Sequence, residues 1–281
     1  MGASPARDQP QVVFGMSSLS LERVESLLDA NSYFHLFPLS VRRALAAEFT
    51  LVELHAGANG NYSYRDGCIY FPINCVLVAE YPSSDGTAIF MRFFGARFFV
   101  GVRARTVLAT IDFEVRLIRG GHALKINLDR FWSIVTDCTQ FLQLTAQTTS
   151  AFAELVLLNH ACLATHDATQ RLMRLLLEAR DAYPDDVGIT LTQAQLGQLV
   201  GIRRETVTDI LKQFAQRGWV TLERGSVSIA DLDGARRASC LCSERLRQID
   251  ASLYDIARNL LRGQMQPRTP RGVRLSCSAR S

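Results

Sequence analysis

The run Thr192-Gln193-Ala194-Gln195-Leu196-Gly197-Gln198-Leu199-Val200-Gly201-Ile202-Arg203-Arg204-Glu205-Thr206-Val207, continuing to Ile229, decides the fold. Thr192 and Gln195 have the spacing of a capping box, in which each side chain satisfies a backbone N–H of the other. Leu196, Leu199 and Val200 then give a short helix one buried face. Gly201 stands where a left-handed C-terminal cap is needed, and Ile202 can plug the turn. A second helix, about Arg203 to Gln216, turns Val207, Ile210, Leu211 and Phe214 inward. Its outer face carries Arg204, Thr208 and Lys212, one turn apart, with Arg203 and Glu205 beside them. Two short helices about a glycine turn, the second basic on its free face, make a helix-turn-helix. Trp219 to Leu222 and Val227 to Ile229 flank Glu223-Arg224-Gly225-Ser226 as a hairpin wing. The alternative is a helix pair that only packs, with a solvated charged face.

The segment Leu196 to Val207 resembles the DNA-binding domain of the Crp–Fnr superfamily of bacterial transcription regulators. The resemblance implies that Arg-Glu-Thr-Val opens a recognition helix, with Arg203, Arg204, Glu205 and Thr208 as candidate base contacts. Arginine can bind guanine O6 and N7 bidentately, and glutamate can accept from a cytosine amino group. Thr192, Lys212, Arg224 and Ser226 are candidate phosphate contacts, which position a protein without reading sequence. Asp209 departs from the cAMP-receptor pattern, which has an arginine there, so the operator need not match that protein's.

Composition sets the outer bounds. The chain has 281 residues, is 48% hydrophobic and carries a net charge of +4. That length supports two modest domains, and attraction to nucleic acid must come from local patches rather than overall charge. Met1 to Gln11 contains no apolar signal-peptide core, and no apolar run approaches the ~20 residues of a membrane span. Seven cysteines do not make a dense disulfide framework in a chain this long. A reducing cytoplasm is the expected location, with no membrane association.

Ahead of the helix-turn-helix, residues up to Val13 are expected to be disordered, and Leu19–Leu28 and Ser40–Phe49 read as short helices. From Leu51 to about Asn127 the pattern is of short β runs: Cys68–Phe71, Cys75–Ala79, Ala88–Phe93 and Phe113–Ile118. Turn signals separate them at Gly57–Gly60, Asp66-Gly67, Ser84–Gly86 and Gly120-Gly121. This suggests a small antiparallel barrel or jelly roll. Tyr70-Phe71-Pro72 and Gly95 to Gly101 resemble the sensor barrel of the same superfamily. Its cyclic-nucleotide-binding members hold the phosphate with a Gly-Glu pair and an Arg-Ser/Thr-Ala turn. Here Val100 to Thr106 lacks the glutamate, and Arg105-Thr106 is out of register. Arg103 and Arg105 are left as possible anion contacts or as a solvated loop, with no evident cofactor and an unknown effector.

Leu128 to Leu163 reads as one long helix capped by Asn127. Two apolar stripes run along it, one through Phe141, Leu144, Leu155 and Leu158, the other through Cys138, Leu142, Phe152 and Val156. A helix apolar on two faces has two surfaces to cover: its own barrel and, in a coiled-coil dimer, a partner helix. Which stripe is the seam stays open, and Phe141, Leu144, Leu155 and Leu158 are the named dimer-helix residues. Asp167 caps the next helix, Ala168 to about Tyr183, which buries Leu172, Leu175, Leu176 and Ala179 and leaves Arg171, Arg174 and Arg180 outside. Ser243 to Leu261 is an amphipathic helix that must cover the barrel, its own domain or another protomer. A basic tail follows.

The expected fold class is α+β. Its order is a disordered 1–13, a cyclic-nucleotide-binding-like β jelly roll or barrel over 14–130, a dimerisation helix over 131–164, a winged helix-turn-helix over 165–235, and an amphipathic helix with basic tail over 236–281. The expected partners are double-stranded DNA with an approximately palindromic site, a second copy of the chain, and RNA polymerase. No catalytic residues and no metal are expected. His35, His55, His122, His160 and His166 lack ligand spacing, and Cys240-x-Cys242 is shorter than the usual zinc knuckle or redox turn. Two alternatives remain: a switch by thiol oxidation at Cys240/Cys242 or Cys68/Cys75, and a protein–protein interaction module that no longer reads DNA.

Overall fold

The computed structural model describes residues 19–31, 33–55, 67–82, 88–101, 114–183 and 188–261. The expected disordered start, the Gly57–Gly60 and Ser84–Gly86 turns, Arg103, Arg105 and the basic tail lie outside them. The described chain opens with α1 (Leu21–Leu27), whose Ser20 oxygen accepts from the Arg23 N–H. Asn31 follows, fully buried. Its Oδ1 accepts from Phe34 N at 2.9 Å and its Nδ2 donates to Phe98 O at 2.8 Å. The asparagine that breaks the helix thus starts the 3-10 turn at Phe34–Leu36 and ties it to the barrel. Helix α2 (Leu39–Glu48) then leads into the sheets.

Among the described residues, six strands form two antiparallel three-stranded sheets. Strands β1 (Thr50–Leu54), β6 (Gly121–Asn127) and β2 (Cys68–Pro72) make the first, with β6 central. Strands β4 (Ala88–Phe94), β3 (Val76–Pro82) and β5 (Glu114–Arg119) make the second, with β3 central. Thr50 faces Lys125, Cys68 faces Asn127 and Glu80 faces Glu114. The like-charged Glu80–Glu114 pairing is offset by Arg116, whose Nε and Nη2 donate to the Glu80 carboxylate at 2.9 and 2.7 Å. Val52, Leu54, Tyr70, Leu77, Val115, Leu117 and Ala123 fill the interior between the sheets.

A second, aromatic core lies outside the first sheet. Phe34, Phe37, Phe49, Phe71, Phe131, Trp132 and Phe141 are all buried in it. Most pairs meet edge to face or tilted, as the ring quadrupoles favour; Phe49 and Phe71, for example, lie 5.1 Å apart at 74°.

The segment read as one long helix is two. Asn127 caps α3 (Leu128–Val135), its Oδ1 accepting from Asp129 N and Arg130 N. The chain then breaks at Thr136–Cys138 and restarts as α4 (Thr139–Thr165), with Cys138 in extended conformation. Thr136 donates its hydroxyl to Trp132 O, and Cys138 N returns to Val135 O, which closes α3. The break has a packing cause: it lets Phe141 turn back onto Phe37, Phe131 and Trp132 at centroid distances of 5.5–5.6 Å. Periodicity does not register such a bend, because the apolar residues stay in phase across it.

Helix α5 (Ala168–Ala182) begins with an Asp167–Gln170 capping box. It is followed by α6 (Gln193–Val200), α7 (Arg204–Gln216), β7 (Val220–Glu223), β8 (Ser226–Ile229), α8 (Leu232–Ala238) and α9 (Cys242–Leu261). One apolar core runs from Val76, Phe90 and Phe93 of the second sheet through α5 to Leu196, Val207, Ile210 and Phe214. The barrel and the winged domain therefore share a core. Their contact is close: a Cβ on Gly95 would lie 2.0 Å from Ala182 O.

Helix α9 answers the question left by the amphipathic C-terminal segment. Arg245 pairs with Glu154 and Cys240 meets Cys162, so α9 runs antiparallel along α4 of the same chain. Leu246, Ile249 and Leu253 are buried there. Asp250 also accepts from Arg92 of β4 at 3.1 Å, which ties α9 to the barrel.

Candidate nucleic-acid interface

The helix-turn-helix forms by the local chemistry legible in the sequence. Thr192 Oγ1 accepts from Gln195 N, and Gln195 Oε1 returns to Thr192 N at 2.8 Å. Gly201 adopts φ 73°, ψ 42°, a left-handed cap that costs an L residue about 1 kcal/mol or more. Ile202 N closes the turn on Gly197 O. Val207, Ile210, Leu211 and Phe214 are buried as expected, each contributing on the order of 2 kcal/mol.

The opposite face of α7 is solvent. Arg203, Arg204, Glu205, Asp209 and Lys212 are exposed. Arg203 is the N-cap by backbone conformation alone, since its guanidinium only donates and cannot take the free N–H groups there. Thr208 is placed differently from its companions. It is half-buried, and its hydroxyl donates to Gln193 Oε1 at 2.6 Å and to Arg204 O at 3.1 Å. It is a strut between the two helices before it is a surface group.

The wing is the β7–β8 hairpin, with Val220 opposite Ile229 and Glu223 opposite Ser226. Arg224 is exposed at its tip, and Ser226 is half-buried beside it, directly after the turn. Strand β8 is anchored by an antiparallel bridge from Ile189 to Val227. Arg217, which the sequence reading did not select, is exposed and lies over the Trp219 ring at 4.9 Å. Its place between helix and wing adds a fixed cation to this surface.

The structure separates the two stripes of α4. Phe141 and Leu155 are 3% and 1% exposed, packed within their own chain, and Leu158 lies against a cysteine cluster. These expected dimer-helix residues therefore face inward; nothing is described for the Leu144 side chain. Of the other stripe, Cys138 is buried and Phe152 half-buried, while Leu142 and Val156 are exposed. Leu142, Thr149, Val156 and Leu163 recur every seven residues and are all exposed. Sequence alone did not rank the stripes, because both are apolar at the same spacing.

Four further side chains come together from two parts of the chain that sequence reasoning kept apart. Cys162, His166, Cys240 and Cys242 converge, with their ligand atoms all within 4.8 Å of one another. Cys162 Sγ is 3.6 Å from Cys240 Sγ, and Cys242 Sγ is 3.7 Å from His166 Nδ1. The Cys162 thiol is pulled down to about 5 by its hydrogen bond with Cys240 and, more weakly, by the Arg174 charge and His166, against the upward push of burial. The same contact pushes Cys240 up, and burial raises Cys242. Arg174, expected on the outside of α5, is buried at 8% exposure. The second sheet and α9 enclose α5, and Arg174 pairs there with Asn159 and, at 3.5 Å, with Glu178. The i, i+4 spacing of Cys162 and His166 was the local signal; the partners 78 residues away were not visible.

A cavity of about 380 Å³ lies where β4, α5 and α9 meet. Arg92, Glu178, Asp181, Arg247 and Asp250 line it. Glu178 is buried, and burial raises its carboxyl above the usual range, opposed by Arg174 and Arg92.

Comparison with known proteins agrees with this geometry. Residues 170–237 match the Crp-like helix-turn-helix domain. A CRP-like cAMP-activated global transcriptional regulator of Mycobacterium tuberculosis is 41% identical over 87 residues, covering 28% of this chain and 39% of that protein. The match thus spans about two fifths of the relative's length. Among solved structures, a crp/fnr-family transcriptional regulator from Eubacterium rectale aligns with TM-score 0.56 at 14% identity, covering 79% of this chain and 99% of that one. The c-di-GMP-responsive global regulator CLP of Xanthomonas campestris aligns with TM-score 0.53 at 17% identity, covering 69% and 100%. The fold is that of the Crp–Fnr regulators: a cyclic-nucleotide-binding-like β domain joined to a winged helix-turn-helix. Residues 170–237 thus carry a Crp-like helix-turn-helix domain, and the chain has the fold of those crp/fnr-family structures.

Proposed function

We propose that this protein is a sequence-reading transcription regulator that binds DNA as a homodimer, under the control of a signal at its β domain. The carrying observation is the solvent-facing start of α7, where Arg203, Arg204 and Glu205 project beside the wing Arg224 from a domain matching the Crp-like helix-turn-helix. Arg204 and Glu205 suit base edges, while Lys212, Arg217 and Arg224 suit phosphates. Thr192 and Ser226 keep their candidate phosphate roles at the edges of the same surface.

The heptad stripe Leu142, Thr149, Val156 and Leu163 supports a parallel pairing of α4 with a second copy. A two-fold dimer would set two recognition helices about 34 Å apart, in successive major grooves of a near-palindrome. The shared core between second sheet and α5 supplies a route for a signal: a ligand that prefers one packing of that core shifts the pose of the winged domain. Regulators of this superfamily are not enzymes, and no catalytic residue is assigned. RNA polymerase is the expected protein partner. Among the described residues no helix is long and apolar enough to cross a membrane, and the cytoplasm is where the DNA target would be met.

Selection from random duplex DNA, with the full chain at near-physiological salt, tests this reading. A two-fold symmetric motif should emerge. Arg204→Ala should weaken binding to that motif by about 1–3 kcal/mol while leaving scrambled DNA little changed. Equal loss on both, or no enriched motif with and without cell extract, would refute it.

A further inference from the structure

We infer that Cys162, His166, Cys240 and Cys242 form a closed, mononuclear zinc-type site that clamps the joint between α4 and α5 to the start of α9. The donor set is three thiols and one imidazole, the soft and borderline ligands that zinc takes in structural sites. The spacing is that of a single ion. With zinc–sulfur bonds near 2.3 Å and zinc–nitrogen bonds near 2.0 Å, a tetrahedron has edges of roughly 3.8 Å between sulfurs and roughly 3.6 Å from sulfur to nitrogen. The corresponding pairs here are 3.6 Å for Cys162–Cys240 and 3.7 Å for Cys242–His166. All four donor atoms fall within 4.8 Å, too tight for ligands spread over the irons of a cluster.

The surroundings fit a charge of that kind. Three thiolates and a neutral imidazole around a divalent ion leave one net negative charge, after the thiol protons pass to solvent. Arg174, buried on α5, presents its guanidinium to Cys162 and supplies the compensating charge. Its ion-pair contact with Glu178, at 3.5 Å, is long enough to leave part of that charge uncommitted. Such outer partners orient metal ligands and tune them. The three cysteines are 1–7% exposed, so no coordination position is left open to substrate, and the role is structural.

Position gives the site its consequence. His166 is the C-cap of α4 and Asp167 the N-cap of α5, so the bend between the two helices is made by these two residues. Cys240 lies in the turn between α8 and α9, and Cys242 is the first residue of α9. A metal held by all four fixes the bend and pins α9 beside it. The site stands whether or not the DNA-reading proposal does.

The test is metal analysis of the full chain purified without chelator, followed by titration of the stripped protein with Co²⁺. One zinc per chain is expected, and Co²⁺ should give thiolate-to-metal charge-transfer absorption with the visible bands of a tetrahedral ion. Cys240→Ser and Cys242→Ser should each lower zinc affinity by at least about 10–100-fold, the loss seen when even an outer partner is removed. Cys68→Ser should leave it unchanged. Should a ligand variant not fold, the Co²⁺ spectrum of the unaltered chain decides alone. Octahedral-type Co²⁺ spectra without charge transfer, a Cys162–Cys240 disulfide detected by mass, or iron with inorganic sulfide in the isolated protein would each overturn the single-ion site.

Discussion

Cys75 sits immediately before β3 with 1% exposure, and burial pushes its thiol from 9.0 up to about 12. Because the folded state holds the proton more tightly than the unfolded chain, the contribution to stability is full below pH 9 and is lost as pH rises toward 12. Each pH unit in that window removes about 1.4 kcal/mol. Urea unfolding from pH 8 to 11 should therefore show a falling free energy for the parent and a flatter profile for Cys75→Ala; parallel profiles would place the alkaline sensitivity elsewhere. Residue-scale features of this kind were half legible. The caps at Asn127, Asp167 and Thr192 could be read directly, because cap chemistry involves neighbours within four residues. The inward turn of Arg174 could not, since it depends on α9 closing over α5. Thr208 is similar: its spacing put it on the reading face, and only Gln193 across the turn shows that its hydroxyl is already donated.

Among elements, β2, β4, β5 and most helices fell within about two residues of where alternation and caps placed them, whereas β3 runs on to Pro82 and β1 and β6 were not read individually. The α3–α4 break escaped because Phe141 packs against Phe37 and Phe131, residues far away in the chain. The same tertiary dependence hid the strand end that meets α5. Gly95 lies against Ala182, and a methyl group there would collide with the Ala182 carbonyl oxygen. Both partners are backbone, so neither can rotate away. Gly95→Ala should cost at least about 1–3 kcal/mol, as overpacking does. It should also raise hydrogen exchange along β4 and at the end of α5, the two elements forced apart. A neutral substitution would mean that the barrel and α5 are less closely joined than the structure shows.

On the scale of the whole molecule, the exposed heptad of α4 is the surface that a second copy would cover. Val156→Glu with Leu163→Glu places charges on that seam, 40% and 49% exposed in the single chain, without entering the protomer core. Sedimentation should show the mass falling from two chains to one, while near-ultraviolet circular dichroism from Trp132 and Trp219 keeps its shape. A dimer that persists would move the interface to another face.

The antiparallel return of α9 along α4 has a further, kinematic meaning. The chain passes from the sensor half into the winged domain at His166, and comes back at Cys240 to Cys242, only a few ångströms away. A domain hung from a single strand of chain can swivel in any direction. One held at two neighbouring crossings is restricted to rocking about the line that joins them. The winged domain is thus topologically an inserted cassette, with entry and exit side by side, and any motion that its shared core with the barrel permits is that of a leaf on a hinge.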